Sequence, residues 1–175
     1  IADKASVVIL EVNDKLPAIN HGHEYKIHIS DVTHVVEAAS PDLPVINPAA
    51  ACETDKVIAR MVMERIRNGP TVQLGIGALP NAIGTMIVDS DLKNLGMHTE
   101  MLVDAYMVMT EAGKITNTHK AVDRGRSIFT FCCGSQKLYD WARDNDTLGT
   151  GPSNYTNDPA NIAKNPDMVT VNSCV

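Results

Sequence analysis

The stretch Thr71-Val72-Gln73-Leu74-Gly75-Ile76-Gly77-Ala78-Leu79-Pro80-Asn81 decides the fold. Thr71–Leu74 reads as a short strand, Gly75-Ile76-Gly77 as a tight turn, and Pro80 can open a helix that runs to about Ser90. Two glycines let the backbone approach a ligand closely and adopt positive φ. The helix start that follows offers unpaired N–H groups and the positive end of a dipole. Such a turn can hold a phosphate or stabilise an oxyanion at a reacting carbonyl. It is not a P-loop, because no Gly-Lys-Ser/Thr follows, and it lacks the third glycine of the dinucleotide fingerprint. A plain strand-to-helix connection is the alternative reading of the segment.

Outward from this turn, helix and strand patterns alternate. Val57, Ile58, Met61, Val62 and Ile66 recur at three-and-four spacing, which predicts a helix over 54–68 stopped by Asn68-Gly69. Strands are predicted over 95–101, 127–132 and 169–171, and helices over 102–112 and 135–144. The alternation argues for an α/β protein with a mostly parallel sheet flanked by helices. Toward the N-terminus, 6–12 reads as a buried strand, and 26–30 and 34–37 as two further short extended pieces, with a turn-rich stretch over 13–24 between. Pro41, Pro44 and Pro48 block regular ladders and helices, so 40–50 reads as an extended linker. The chain therefore divides into 1–39, 40–50 and 51–175. Its first residues, Ile1-Ala2-Asp3-Lys4-Ala5, read as the interior of a longer chain.

Composition narrows the function classes. A net charge of −6 speaks against a nucleic-acid surface, which needs clustered cations. No apolar run approaches the roughly 18 residues of a membrane span. Cys52, Cys132, Cys133 and Cys174 show no CxxC spacing, so no structural zinc site is expected, and the adjacent pair reads as core packing in a reducing compartment. His21, His23 and His28 lack a carboxylate at ligand spacing and read as a solvated loop, so no metal is expected. Asp123-Arg124-Gly125-Arg126 reads as a solvated turn, and Lys120 as a surface lysine. Gly134-Ser135 is not a Gly-x-Ser-x-Gly elbow.

Glu100 is the candidate reactive group. It ends the strand predicted over 95–101, and ligands of open α/β sheets lie beyond the carboxyl ends of strands. If that strand neighbours 71–74, Glu100 shares a rim with the glycine turn. Flanking Met97 and Met101 would partly desolvate the carboxylate and make it more basic or nucleophilic. His98, two residues back, would share its face. A solvated glutamate at a strand end is the alternative.

Taken together, 73–82, His98-Thr99-Glu100-Met101, Glu111-Ala112-Gly113-Lys114-Ile115-Thr116-Asn117 with Lys120, Leu138-Tyr139-Asp140, Asn157-Asp158-Pro159 and Val171-Asn172-Ser173-Cys174 resemble the family I coenzyme A transferases. The similar branch is that of the butyryl-CoA:acetate and 4-hydroxybutyrate CoA-transferases, relatives of acetyl-CoA hydrolase. The resemblance covers nearly the whole chain. It implies a CoA-transferase fold of the NagB/RpiA-like kind, incomplete here: 1–39 ends a first domain, and 51–175 begins a second, catalytic one. A later glycine-rich loop of the family would lie beyond Val175.

By position, the resemblance makes Glu100 the nucleophile and Gly75, Ile76, Gly77, Ala78 and Leu79 the CoA-binding turn, with Val175 a further CoA contact. The spacing of 25 residues (100 − 75) matches the family arrangement. Asp104-Ala105 departs from the family's Asp-Gly. The resemblance also implies no permanently bound cofactor, with coenzyme A as substrate and covalent thioester. Implied partners are an acyl-CoA and a short-chain carboxylate, in the cytoplasm; a homo-oligomer is left open. Lys120 reaching a CoA phosphate is an alternative to its surface reading. Two rival functions stay open: an acyl-CoA hydrolase using the same Glu100, and a non-catalytic nucleotide-binding or assembly module using the turn alone.

Overall fold

The computed structural model describes residues 2–37, 39–47 and 50–172. In chain order its strands and helices are β1 (Ile9–Val12), β2 (His34–Glu37), α1 (Glu53–Met63), β3 (Thr71–Leu74), α2 (Ala78–Asp89), β4 (Gly96–Met97), β5 (Met101–Leu102), α3 (Asp104–Glu111), β6 (Ser127–Phe129), β7 (Phe131–Cys132), α4 (Gln136–Ala142), β8 (Leu148–Thr150), α5 (Ser153–Thr156), α6 (Pro159–Ile162) and β9 (Val169–Val171). Every strand pair among them is parallel, as the alternation predicts: β4-β3-β9, β5-β7, β6-β8 and β1-β2. From β3 onward α-helices occupy the crossovers that parallel strands require, whereas β1 and β2 are joined without one.

The core lies where α2 and α3 pack on this sheet. Val72, Leu74, Ile83, Ile87, Leu95, Met97, Leu102, Met109 and Leu138 are all at most 1% exposed. Each places an aliphatic side chain on the inner face of its element, so the apolar periodicity of the sequence is realised as burial. Gly84 lets α3 come close: a Cβ there would lie 2.7 Å from that of Ala105. Pro80 sits inside the first turn of α2 rather than opening it, and its missing N–H costs nothing there. α1 ends at Met63, short of the predicted 68, because Arg65 and Ile66 turn back onto the Val62 and Met63 carbonyls. The α1 start is fixed by Asp55, whose carboxylate accepts the Cys52 N–H at 2.9 Å.

Two expected strands break in the middle. The stretch 95–101 divides into β4, paired with β3, and β5, paired with β7. The stretch 127–132 divides at Thr130 into β6, paired with β8, and β7. Both chains kink at the same level, where the N–H groups of Thr130 and Phe131 reach the Glu100 carbonyl at 2.8 and 3.1 Å. β8 was not foreseen: Leu148-Gly149-Thr150 is too short and glycine-containing to carry a strand pattern.

The N-terminal reading needs correction. The strand expected to be buried over 6–12 is β1, and it is exposed, with Ile9 64% accessible. β1 and β2 pair only with each other among the described residues, and no helix covers either face. The stretch 26–30 forms no strand; it leads into a 3-10 turn at Ile29–Asp31. The turn-rich segment docks instead: Gly22 bridges Thr150, with the His23 N–H on the Thr150 carbonyl at 2.7 Å and the Thr150 N–H on the His21 carbonyl at 3.0 Å. The contact is so close that a Cβ on Gly22 would lie 1.9 Å from the Thr150 carbonyl oxygen. Residues 40–47 are extended, as the prolines require, and lie against α4 through Tyr139, whose hydroxyl donates to the Pro44 carbonyl at 2.6 Å. Pro48 and the 48–49 part of the linker fall outside the described residues. No helix among the described residues is long and apolar enough to cross a membrane.

Candidate active site

The register of β3 and β4 fixes where the arm leading to the glycine turn and the arm leading to Glu100 part. Thr71 is paired with Gly96 and Val72 with Met97, an offset of 25 (96 − 71) that carried forward sets Gly75 level with Glu100. The ladder does not run that far. After the His98 N–H bonds the Val72 carbonyl at 3.4 Å, the chain swings away, and the Thr99 N–H turns to the Ile128 carbonyl at 3.0 Å. The sheet thus forks at Thr99, at the carboxyl ends of its strands, where a crevice suited to ligands forms.

A cavity of about 270 Å³ lies at this fork, lined among others by Gln73, His98, Glu100, Thr156 and Asn172. Gln73 and Asn172 face each other in a reciprocal amide pair, with N···O distances of 3.1 and 3.0 Å. Glu100 is exposed, and its carboxylate has no hydrogen-bond partner among the described residues. This corrects the expected desolvation by flanking methionines: Met97 is fully buried in the core, and the bend at Glu100 turns its side chain out of that environment. His98 does not share the outward face either. The same bend breaks the two-residue alternation, leaving His98 1% exposed. Its Nε2 donates to the Thr156 carbonyl at 2.9 Å, its Nδ1 is buried without a partner among the described residues, and burial pulls its pKa below the ordinary value.

The glycine turn is built as a helix start. Gly77, at φ 116°, is the residue before α2, a conformation that L side chains rarely adopt. Its neighbour Gly75 gives its N–H to the Val171 carbonyl at 2.9 Å, so that amide serves the β9 ladder rather than a ligand. The amides of the first α2 turn lack intrahelical acceptors. Ile76 is 59% exposed. Ile76 and Gly77 line a second cavity of about 190 Å³ with Ile46, Asn81, Met101 and Cys133. Glu100 and the turn therefore flank the fork from adjoining cavities rather than sharing one. Val175 lies outside the described residues.

Two other groups behave unlike the sequence reading. Lys120 is not a surface lysine: it is 3% exposed, and its ammonium donates to the Met97 and Arg126 carbonyls at 2.8 and 2.7 Å. Burial lowers its pKa to about 8, opposed by Asp123. Asp123 is half-buried rather than solvated; burial pushes its carboxyl up, but His23 at 2.6 Å, the Tyr155 hydroxyl at 2.8 Å and Lys120 outweigh that and hold it low. The three N-terminal histidines do not converge. His23 meets Asp123, His21 meets Asp146 at 3.3 Å, and His28 meets the Ser30 hydroxyl at 2.8 Å. Cys132 packs against the core, and burial raises its thiol to about 12.

The fork has one further occupant that no motif signalled. The Leu74 N–H, next in line for the ladder, donates to the hydroxyl of fully buried Tyr106 at 2.5 Å. An aromatic in the first turn of a helix carries no sequence signature of this task. An unpaired carboxylate beside a helix start at a strand fork can attack a carbonyl whose developing charge those amides stabilise.

Residues 134–175 match the family model described as acetyl-CoA hydrolase/transferase C-terminal domain. The chain is 43% identical over 174 residues to the butyryl-CoA:acetate CoA-transferase of Anaerostipes caccae, covering 99% of this chain and 39% of that protein. It is 39% identical over 174 residues to the 4-hydroxybutyrate coenzyme A transferase of Clostridium kluyveri, with coverages of 99% and 39%. Among solved structures, RipA from Yersinia pestis superposes with a TM-score of 0.89 at 35% identity, over 98% of this chain and 39% of that one. A 4-hydroxybutyrate CoA-transferase from Porphyromonas gingivalis gives 0.87 at 35% identity, over 99% and 43%. The chain spans about two fifths of the length of the curated relatives it matches.

Proposed function

From the premise that this chain belongs, over the stretch it spans, to the acetyl-CoA hydrolase/transferase family, we propose that its protein transfers coenzyme A between a short-chain acyl-CoA and a carboxylate through Glu100. Butyryl-CoA and acetate are the substrates proposed, and the cytoplasm the setting. In this reading 1–39 ends a first domain of the NagB/RpiA-like kind, 40–50 links, and 51–175 begins the catalytic domain. The observation that supports the proposal is the fork at the carboxyl ends of β3 and β4: one arm leads through Gly75 into the start of α2, and the other carries Glu100, whose carboxylate is exposed and without a hydrogen-bond partner among the described residues.

The chemistry follows from the groups present. The Glu100 carboxylate attacks the thioester carbonyl, forming an acyl-glutamyl anhydride and releasing CoA thiolate. The thiolate attacks the glutamyl carbonyl, the first carboxylate departs, and CoA is held as a glutamyl thioester. An incoming carboxylate attacks that thioester to give a new anhydride and CoA thiolate. Thiolate attack on the new acyl carbonyl releases the product acyl-CoA and restores Glu100. No water enters, so the thioester bond energy is conserved. Amides from Ile76 to Leu79 are the donors proposed for the oxyanions, each worth about 2.7–4 kcal/mol, and Val175 is a further CoA contact. Remote contacts to the CoA nucleotide supply binding energy that favours the reacting centre.

The exposure of Glu100 favours one rival, an acyl-CoA hydrolase, because an anhydride open to water hydrolyses. The test uses the full-length protein. It is incubated with butyryl-CoA, reduced with borohydride and mapped by peptide mass. Reduction of Glu100 to the alcohol is expected; an active enzyme with unmodified Glu100 overturns the assignment. Added acetate should yield acetyl-CoA, whereas release of free CoA alone identifies the hydrolase.

A further inference from the structure

The fork between β3 and β4 has a definite cause. In their parallel ladder, Gly96 N–H bonds the Pro70 carbonyl at 2.9 Å and His98 N–H bonds that of Val72 at 3.4 Å. The alternation of such a ladder calls next for Leu74 N–H on the His98 carbonyl. That rung is missing. The Tyr106 hydroxyl takes the Leu74 N–H at 2.5 Å and returns its own proton toward the Leu74 carbonyl at 3.5 Å. One phenol oxygen thus stands in for a strand, at the point where the arm bearing Gly75 parts from the arm bearing Glu100.

We propose that Tyr106 is a positioning residue for the transfer reaction, its hydroxyl setting the separation between the glycine turn and Glu100. The proposal rests on the reading of Glu100 given above. The hydroxyl has a rigid base. The Tyr106 N–H is bonded to the Val103 carbonyl at 3.0 Å, Ala105 packs against the Cα of Gly84, and Asp104 accepts the Ser135 N–H at 3.0 Å. The hydroxyl holds the arm that leads to the turn directly, since Leu74 immediately precedes Gly75, whereas the Thr99 hydroxyl on the other arm is taken by the Met101 carbonyl at 3.2 Å. Burial pushes the phenol up to about 12, so it remains neutral and keeps its proton at working pH. With the hydroxyl removed, the ladder can close toward His98, or the Leu74 N–H is left unpaired. Either outcome moves the turn relative to Glu100, and a displacement of about 1 Å at a reacting centre can cost roughly 100-fold in rate.

The test compares wild type, Tyr106→Phe and a protein carrying 3-fluorotyrosine at position 106, all full-length. The readouts are kcat and KM for butyryl-CoA in exchange with acetate, and the single-turnover rate of Glu100 thioester formation. Tyr106→Phe keeps the ring and its packing. A fall in kcat of about tenfold or more, with KM within about twofold and slowed thioester formation, is expected. The 3-fluorotyrosine protein, which keeps the hydroxyl but weakens it as an acceptor of the Leu74 N–H, should show the same split more weakly. A kcat within twofold of wild type in a folded Tyr106→Phe overturns the proposal, whatever its stability. If that variant does not fold, an unchanged kcat in the 3-fluorotyrosine protein overturns it instead. Wild type separates the two layers of inference. No thioester on its Glu100 fails the underlying reading, whereas an equal rate in wild type and Tyr106→Phe fails the Tyr106 assignment alone.

Discussion

β1 and β3 are both four-residue strands with a parallel neighbour, yet they have opposite surroundings. In β3, Val72 and Leu74 are 0% and 1% exposed; in β1, Ile9 is 64% exposed. β3 has β4 and β9 beside it and helices against its face, while β1 has β2 alone. Parallel strands are stable when both faces are covered. The contrast shows that an apolar β-branched run specifies a strand but not its burial; the covering layer decides that.

Ile83→Ala and Ile9→Ala test the contrast most sharply. Ile83 is 0% exposed in α2, so its truncation should cost about 2–5 kcal/mol by urea denaturation. Ile9→Ala should stay within about 0.5 kcal/mol, and equal losses would break the comparison. The next effect in size is a pH dependence confined to the well-packed region. Lys120 titrates at about 8 instead of 10.5 because it is buried. Between those values the unfolded chain holds a proton that the folded one has shed, so Lys120 makes stability rise with pH across that window. Below about pH 8 both states hold it and the slope vanishes. Lys120→Met should remove this rise, on the order of 3 kcal/mol, from the difference between variant and wild type; identical pH profiles would contradict a buried ammonium.

Smaller effects sharpen the boundary between the regions. Gly84→Ala should cost about 1–3 kcal/mol by forcing α2 from Ala105, measured as a lowered Tm. His23→Ala removes one partner of Asp123 and should cost about 1 kcal/mol. It should also speed protease cleavage within 13–24, while sites in α2 and α3 stay protected. Unchanged cleavage would mean that the backbone contacts at Thr150 alone hold the segment.

The sequence made the alternation of 51–172 legible because apolar period and glycine stops are local signals. The Gly75-Ile76-Gly77 turn was legible as a strand-to-helix connection because glycines punctuate the two elements, while the exposure of Glu100 was not, because it comes from a bend that no local pattern marks. Lys120 was misread because its burial arises from non-local contacts with Met97 and Arg126. The breaks at 98–100 and at Thr130 were missed because a strand that changes partner has the same pattern as one that does not. Tyr106 and the Gln73–Asn172 pair were invisible for a similar reason: their partners lie 32 and 99 residues away.

Gly22 carries a consequence of its own. Since nothing larger than a hydrogen fits between its backbone and that of Thr150, one added methyl there would act as a crowbar. It would lift the leading arm off the helices and strands beneath without altering a single charge, making attachment of that arm a property that one codon can switch off.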